Sequence, residues 1–238
     1  MSVLAPLIEV TLRGLFGRRR ALLLVLLVGL PVFIALLVRV SGGRPDADRV
    51  LDTLVVRTVM PLVALIVGTA ALGSEIEDGT AVYLMIKPIP RWQIALAKSL
   101  VAAGLTLALI VPAVVLTALL VGNRTDPLTS IVGFSVACAL GGSAYAIAFM
   151  AFSLVTSRAL LLGLAYTLIW EGVLAGLLEG TKFLSIRQAT LGVAAAIGVP
   201  LREPLAPAVS IGVLAIVLGG AFLLATWRLS RFEIRGGD

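Results

Sequence analysis

Between two long apolar runs, residues 74–99 read SEIEDGTAVYLMIKPIPRWQIALAKS and bring together Glu75, Glu77, Asp78, Lys87, Arg91 and Lys98. A charge at the centre of a bilayer costs roughly 2.5–3.5 kcal/mol, so this segment is expected in water. Asp78-Gly79-Thr80 has the chemistry of a turn followed by a helix cap. Residues 81–86, AVYLMI, allow less than two helical turns before Pro88 and Pro90, which lack amide hydrogens, stop the helix. Trp92 then marks an interfacial level. What these residues offer is recognition and not catalysis: a short helix whose Val82, Met85 and Ile86 form an apolar face between charged flanks. Two readings of that face stand side by side. Another protein covers it, as an exposed apolar surface suggests, or it rests on lipid headgroups or the rest of the bundle.

A second polar group stands alone. Glu171, in LIWEGVLAG, falls inside an apolar run, and an intramembrane carboxylate is by default a functional candidate. It lines a pathway, binds a cation or pairs with a base such as Arg57; otherwise it sits near the outer interface beside Trp170. Pairing or interface placement is the preferred reading. Gly172, Gly176 and Gly180 repeat at small-xxx-small spacing, a pattern that lets helices approach closely, within one protomer or between two. Gly141-Gly142-Ser143 reads as close packing, since no strand precedes it to make a phosphate cradle. The chain has no histidine and one cysteine, Cys138, in an apolar run. No disulfide, catalytic residue or metal site is expected. No G-x-x-x-x-G-K-[ST] phosphate loop occurs, so the chain cannot bind ATP in that way.

The elements that hold these residues follow from hydropathy. Of 238 residues 60% are hydrophobic and 13% charged, and the mean hydropathy is +1.11. That composition predicts an all-α integral membrane protein, because helices satisfy their own backbone in lipid. The apolar runs are continuous, not alternating, which disfavours a β-barrel. Six spans are expected, at about 21–38, 55–73, 100–121, 128–155, 159–178 and 205–227, forming a single transmembrane domain over 1–238. Pro31 predicts a kink in the first span, and Pro112 an interruption of the third. Residues 2–17 form an amphipathic helix ahead of Arg18-Arg19-Arg20, read as interfacial. The following apolar run is too long for a signal peptide, and no cleavage pattern is evident. Between spans five and six, Ser185-Ile186-Arg187-Gln188 has capping-box spacing before a short apolar stretch. A re-entrant or interfacial helix and a plain external loop are both open there. Six spans put the termini and the 75–98 segment on one side, together with more than half of the 19 Lys and Arg, including Arg158. That side is the cytoplasm.

The order Glu75, Glu77-Asp78-Gly79-Thr80, a short apolar stretch, Pro88, Arg91 and Lys98 resembles the signature between spans two and three of ABC-2 exporter permeases. The resemblance extends to the interfacial helix, the six spans and the external segment before the last span. It implies that 75–98 is a coupling helix seated on a separate ABC ATPase subunit. Gly79 and Thr80 would set the turn and Val82, Met85 and Ile86 would dock. Glu75, Glu77, Asp78 and Arg91 would latch. It further implies a second permease copy, a dimer contact through spans one and five, and a bacterial plasma membrane location. ATP and magnesium would reside on the partner ATPase, and this chain would hold no cofactor. The rival expectation is a self-sufficient secondary transporter or channel, against which no internal repeat is evident. The cargo is not written in the sequence.

Overall fold

The computed structural model describes residue 11 and residues 17–43, 46–77, 90–122, 127–156, 158–174 and 179–231, the side chains of 18, 19, 74–77, 174 and 179–181 excepted. The expected interfacial helix, apart from Thr11 and Gly17, and residues 78–89 of the expected coupling segment lie outside the described residues.

Among the described residues the fold is helical throughout, without strands. Helix α1 covers Arg18–Val40. Helix α2 begins at Ala47–Val50, continues as a π-helix over Leu51–Val59 and runs on through Met60–Glu77. Helix α3 is Arg91–Val121 and α4 is Pro127–Ser153. Helix α5 starts at Ala159–Ala165 and becomes a π-helix over Tyr166–Leu174. A 3-10 turn, Glu179–Leu184, leads to α6, Ile186–Ala196, and α7 is Pro207–Ser230.

Five of these helices are long and apolar enough to cross a membrane: Arg20–Val40, Ala47–Gly73, Arg91–Val121, Pro127–Ser153 and Pro207–Ser230. The expected fifth span, 159–178, is present as a shorter apolar helix, Ala159–Val173. Pro112 does not interrupt α3, which is continuous over 31 residues. One missing amide hydrogen removes one bond, and neighbouring helices support the remainder. At about 1.5 Å per residue α3 reaches roughly 46 Å, well beyond a hydrocarbon core of about 30 Å.

Helix α4 is the hub, packing against α2, α3, α6 and α7. Its small residues allow this. A Cβ on Gly141 would come within 2.0 Å of Thr190 Oγ1 on α6, and one on Gly142 within 3.2 Å of Thr106 on α3. Gly133 closes on Val199 in the same way, at 2.4 Å. Further along the same helix Tyr145, Phe149 and Met150 are buried, with the Tyr145 and Phe149 rings stacked at 5.8 Å. Cys138 is a free, buried thiol in the same core. Polar side chains inside the bundle bond to their own helices: Thr69 to the Leu65 carbonyl, Thr106 to Ala102 and Thr190 to Ile186. Apolar side chains on α1 (Leu22, Leu23, Val25), α5 (Leu161, Ile169) and α7 (Ile216, Leu223) face outward.

Candidate functional site

The polar insert is bounded on both sides by helix. Helix α2 carries the backbone of Glu75 and Glu77 in its last turn, and α3 starts at Arg91. Pro90 is extended at φ −55° and ψ 132°, and its carbonyl accepts the Gln93 N–H at 3.0 Å. Arg91 is half-buried and Trp92 exposed. Lys98 departs from expectation. It lies two turns into α3 and is 1% exposed, inside the bundle and not in water. The long α3 carries it past the polar segment onto a face flanked by buried Ala95, Ala97 and Ala102. Asp78, Gly79, Thr80, Val82, Met85, Ile86 and Pro88 lie outside the described residues.

Glu171 is 3% exposed and fully engaged. Its Oε1 accepts the Tyr166 hydroxyl at 3.0 Å and the Ile186 N–H at 2.9 Å, while Oε2 accepts the Ser185 hydroxyl. Ser185 is at the same time the N-cap of α6, its Oγ accepting the Gln188 N–H at 3.0 Å. The sequence spacing predicted the serine half of that cap. The reciprocal half of the box is not made: the Ser185 N–H donates to the Lys182 carbonyl at 3.3 Å, and the Glu171 carboxylate from α5 accepts the next amide, Ile186 N–H. A helix N-terminus leaves amide donors unpaired and carries partial positive charge. A carboxylate set against it satisfies both, which is how a charge-bearing side chain is accommodated in this apolar run.

The anticipated Glu171–Arg57 pair does not form among the described residues. The Arg57 Nη2 donates instead to the Gly172 carbonyl at 2.9 Å, near the end of the π-helical part of α5. Arg39 does the same for α3, its Nη1 donating to the Leu119 and Leu120 carbonyls at 3.4 and 3.2 Å. For Arg39 the guanidinium meets carbonyls in the last turn of α3, at the negative end of that helix's dipole. Trp170 Nε1 donates to the Leu184 carbonyl at 3.4 Å, so the tryptophan supports the same corner of the fold.

Two groups at this corner were not legible beforehand. Tyr166 stands five residues before Glu171, a spacing that an α-helix splays apart and a π-helix, with its i→i+5 bonding, brings onto one face. Asp52, in the π-helical part of α2, accepts from Arg187 Nη2 through both oxygens at 3.0 and 3.3 Å. The proposed glycine stripe fares differently. Gly172 lies in the π-helix and Gly180 in the 3-10 turn, so they share no α-helical face, and Gly176 lies outside the described residues. Among the described residues a Cβ on Gly172 would meet the Thr167 carbonyl, at an ordinary 3.5 Å. The close approaches belong to Gly68, Gly133, Gly141, Gly163 and Gly192.

The arrangement braces α2, α5 and α6 against one another; among the described residues no group of three metal-ligating side chains comes together. Residues 17–179 match the family described as ABC-2 family transporter protein. The chain belongs to the ABC-2 transporter family. With five helices among the described residues long and apolar enough to cross a bilayer, this family member is a multi-pass membrane protein. ABC-2 membrane components are not themselves ATPases, in keeping with a sequence that has no phosphate loop. Comparison with curated proteins finds no match.

Proposed function

We propose that this chain is the permease subunit of an ATP-driven exporter in a bacterial plasma membrane, with both termini in the cytoplasm. The family match over residues 17–179 carries the reading. The helical hairpin α2–α3 supports it, because the polar insert sits between two helices that reach into the core beside α4. A load applied to residues 75–91 by a separate ABC ATPase passes straight into α2 and α3. In this reading Gly79 and Thr80 set the turn and Val82, Met85 and Ile86 dock. Pro88 ends the helix, and Glu75, Glu77, Asp78 and Arg91 latch to the motor or to the entry helix. ATP and magnesium are held by the ATPase. Two permease copies enclose the pathway, which the outward apolar faces of α1 and α5 favour.

The test is co-purification of the chain with a candidate ABC ATPase, sought first among neighbouring genes, followed by ATP hydrolysis and transport in liposomes. Cysteines placed at Val82 or Met85 should crosslink to the ATPase, and Asp78→Ala with Arg91→Ala should uncouple hydrolysis from transport. Transport by the chain alone, without any ATPase, would instead establish a self-sufficient carrier.

A further inference from the structure

At the end of the bundle where α2 and α6 begin, a cavity of about 410 Å³ is lined by Asp46, Asp48, Arg49, Asp52, Gln188 and Arg202 among others. That volume is in the range of small-molecule sites. The three aspartates are not equivalent. Asp46 caps the start of α2, its Oδ1 accepting the Asp48 N–H at 3.2 Å. Asp52 is held by Arg187. Asp48 remains: it is 4% exposed, and its Oδ1 is buried without a hydrogen-bond partner. A buried carboxylate oxygen with no donor is costly, and a cationic N–H group removes that cost. Arg49 and Arg202 stand exposed on the same cavity, where their guanidinium groups suit a phosphate or carboxylate.

We propose that this cavity binds a zwitterion of the phosphoethanolamine type, its ammonium donating to Asp48 and its phosphate held by Arg49 and Arg202. The same chemistry is presented by a soluble phosphoethanolamine and by the headgroup of an aminophospholipid. This goes beyond the permease reading and does not depend on it, since binding at this end needs no ATPase.

The experiment uses the purified full-length chain, titrated in detergent with O-phosphoethanolamine and, separately, with phosphocholine, whose ammonium has no N–H to donate. In parallel the chain is placed in nanodiscs of mixed phosphatidylethanolamine and phosphatidylcholine, and retained lipid is read by native mass spectrometry. The expected result is saturable binding of phosphoethanolamine or selective retention of phosphatidylethanolamine, with the choline forms weaker by about tenfold or more. Asp48→Asn and Arg202→Gln should each reduce the binding by a similar factor. Soluble binding points to a free ligand, lipid retention alone to the membrane as the source. Should Asp48→Asn fail to fold, the exposed Arg202→Gln variant and the ethanolamine–choline comparison on the unaltered chain decide. Equal behaviour of the two headgroups, binding by neither, or binding unchanged in Arg202→Gln overturns the proposal.

Discussion

Glu171 illustrates how a single carboxylate inside an apolar run becomes structural. It takes one hydrogen bond from its own helix, one from a cap residue and one from a backbone amide of the next helix. Hydrogen bonds to charged groups contribute about 1.5–3 kcal/mol each, and removal of one partner strands the others. Glu171→Ala should therefore destabilise the chain by about 2–4 kcal/mol, measured as the unfolding midpoint in detergent, with faster amide exchange over 186–196. Glu171→Gln keeps one acceptor oxygen and should cost less. An unaltered midpoint in Glu171→Ala would contradict this bracing role. Gly141 makes the complementary point about volume. Its added Cβ would stand 2.0 Å from Thr190 Oγ1 and 2.9 Å from Thr190 Cβ. Gly141→Ala should cost about 1–3 kcal/mol, and Thr190→Ala in the same background should recover part of it in the same assay.

At the scale of elements, the two π-helical stretches mark where α2 and α5 meet the segment that carries α6. The first ends just before Pro61, where the Met60 N–H still reaches back five residues to the Val55 carbonyl. Proline supplies no amide hydrogen for the following position, so the wider turn is accommodated next to it. The wider turns aim Asp52 and Arg57 sideways, one at Arg187 on α6 and the other at the Gly172 carbonyl on α5. Helix α6 is thus fastened at its N-terminus by Glu171 and Asp52 and along its length by Gly141 and Gly192, where a Cβ would strike Ser210 Oγ at 1.9 Å. It packs into the bundle, with Ala189, Thr190, Leu191 and Ala194 buried. The Asp52–Arg187 pair is mostly buried, at 26% and 13% side-chain exposure. A double-mutant cycle with Asp52→Asn and Arg187→Gln should return a coupling of about 1–3 kcal/mol; a coupling near zero would mean that the pair does not hold α6 to α2.

For the whole molecule, the distribution of exposed apolar surface separates core helices from peripheral ones. Half of the α4 span is buried, against 17% of the α1 and α7 spans, which leave much of their apolar surface outward. In a bilayer that surface meets lipid or a second copy. If two copies join through α1 and α5, single cysteines at Leu26 or Leu161, both exposed, should form crosslinked dimers in native membranes, with Cys138 replaced by serine to remove the native thiol. Cysteines at Ile216 or Leu223 on α7 should not. Crosslinking confined to α7 would place the contact elsewhere.

Hydropathy and the spacing of charged residues were enough to identify a helical membrane protein with a polar insert between its second and third long helices. Those properties follow from local chemistry: twenty or so apolar residues cross a bilayer, and Asp-Gly-Thr with two prolines cannot. The Ser185-x-x-Gln188 spacing offered a helix start as one of two open readings, and the structure selects it, with Ser185 as the cap. Which partner Glu171 takes, which glycines are close contacts and that Lys98 lies inside were decided only by tertiary structure. Each depends on residues far apart in sequence, or on a π-turn that changes which side chains share a face. A periodicity read along one segment has no access to either.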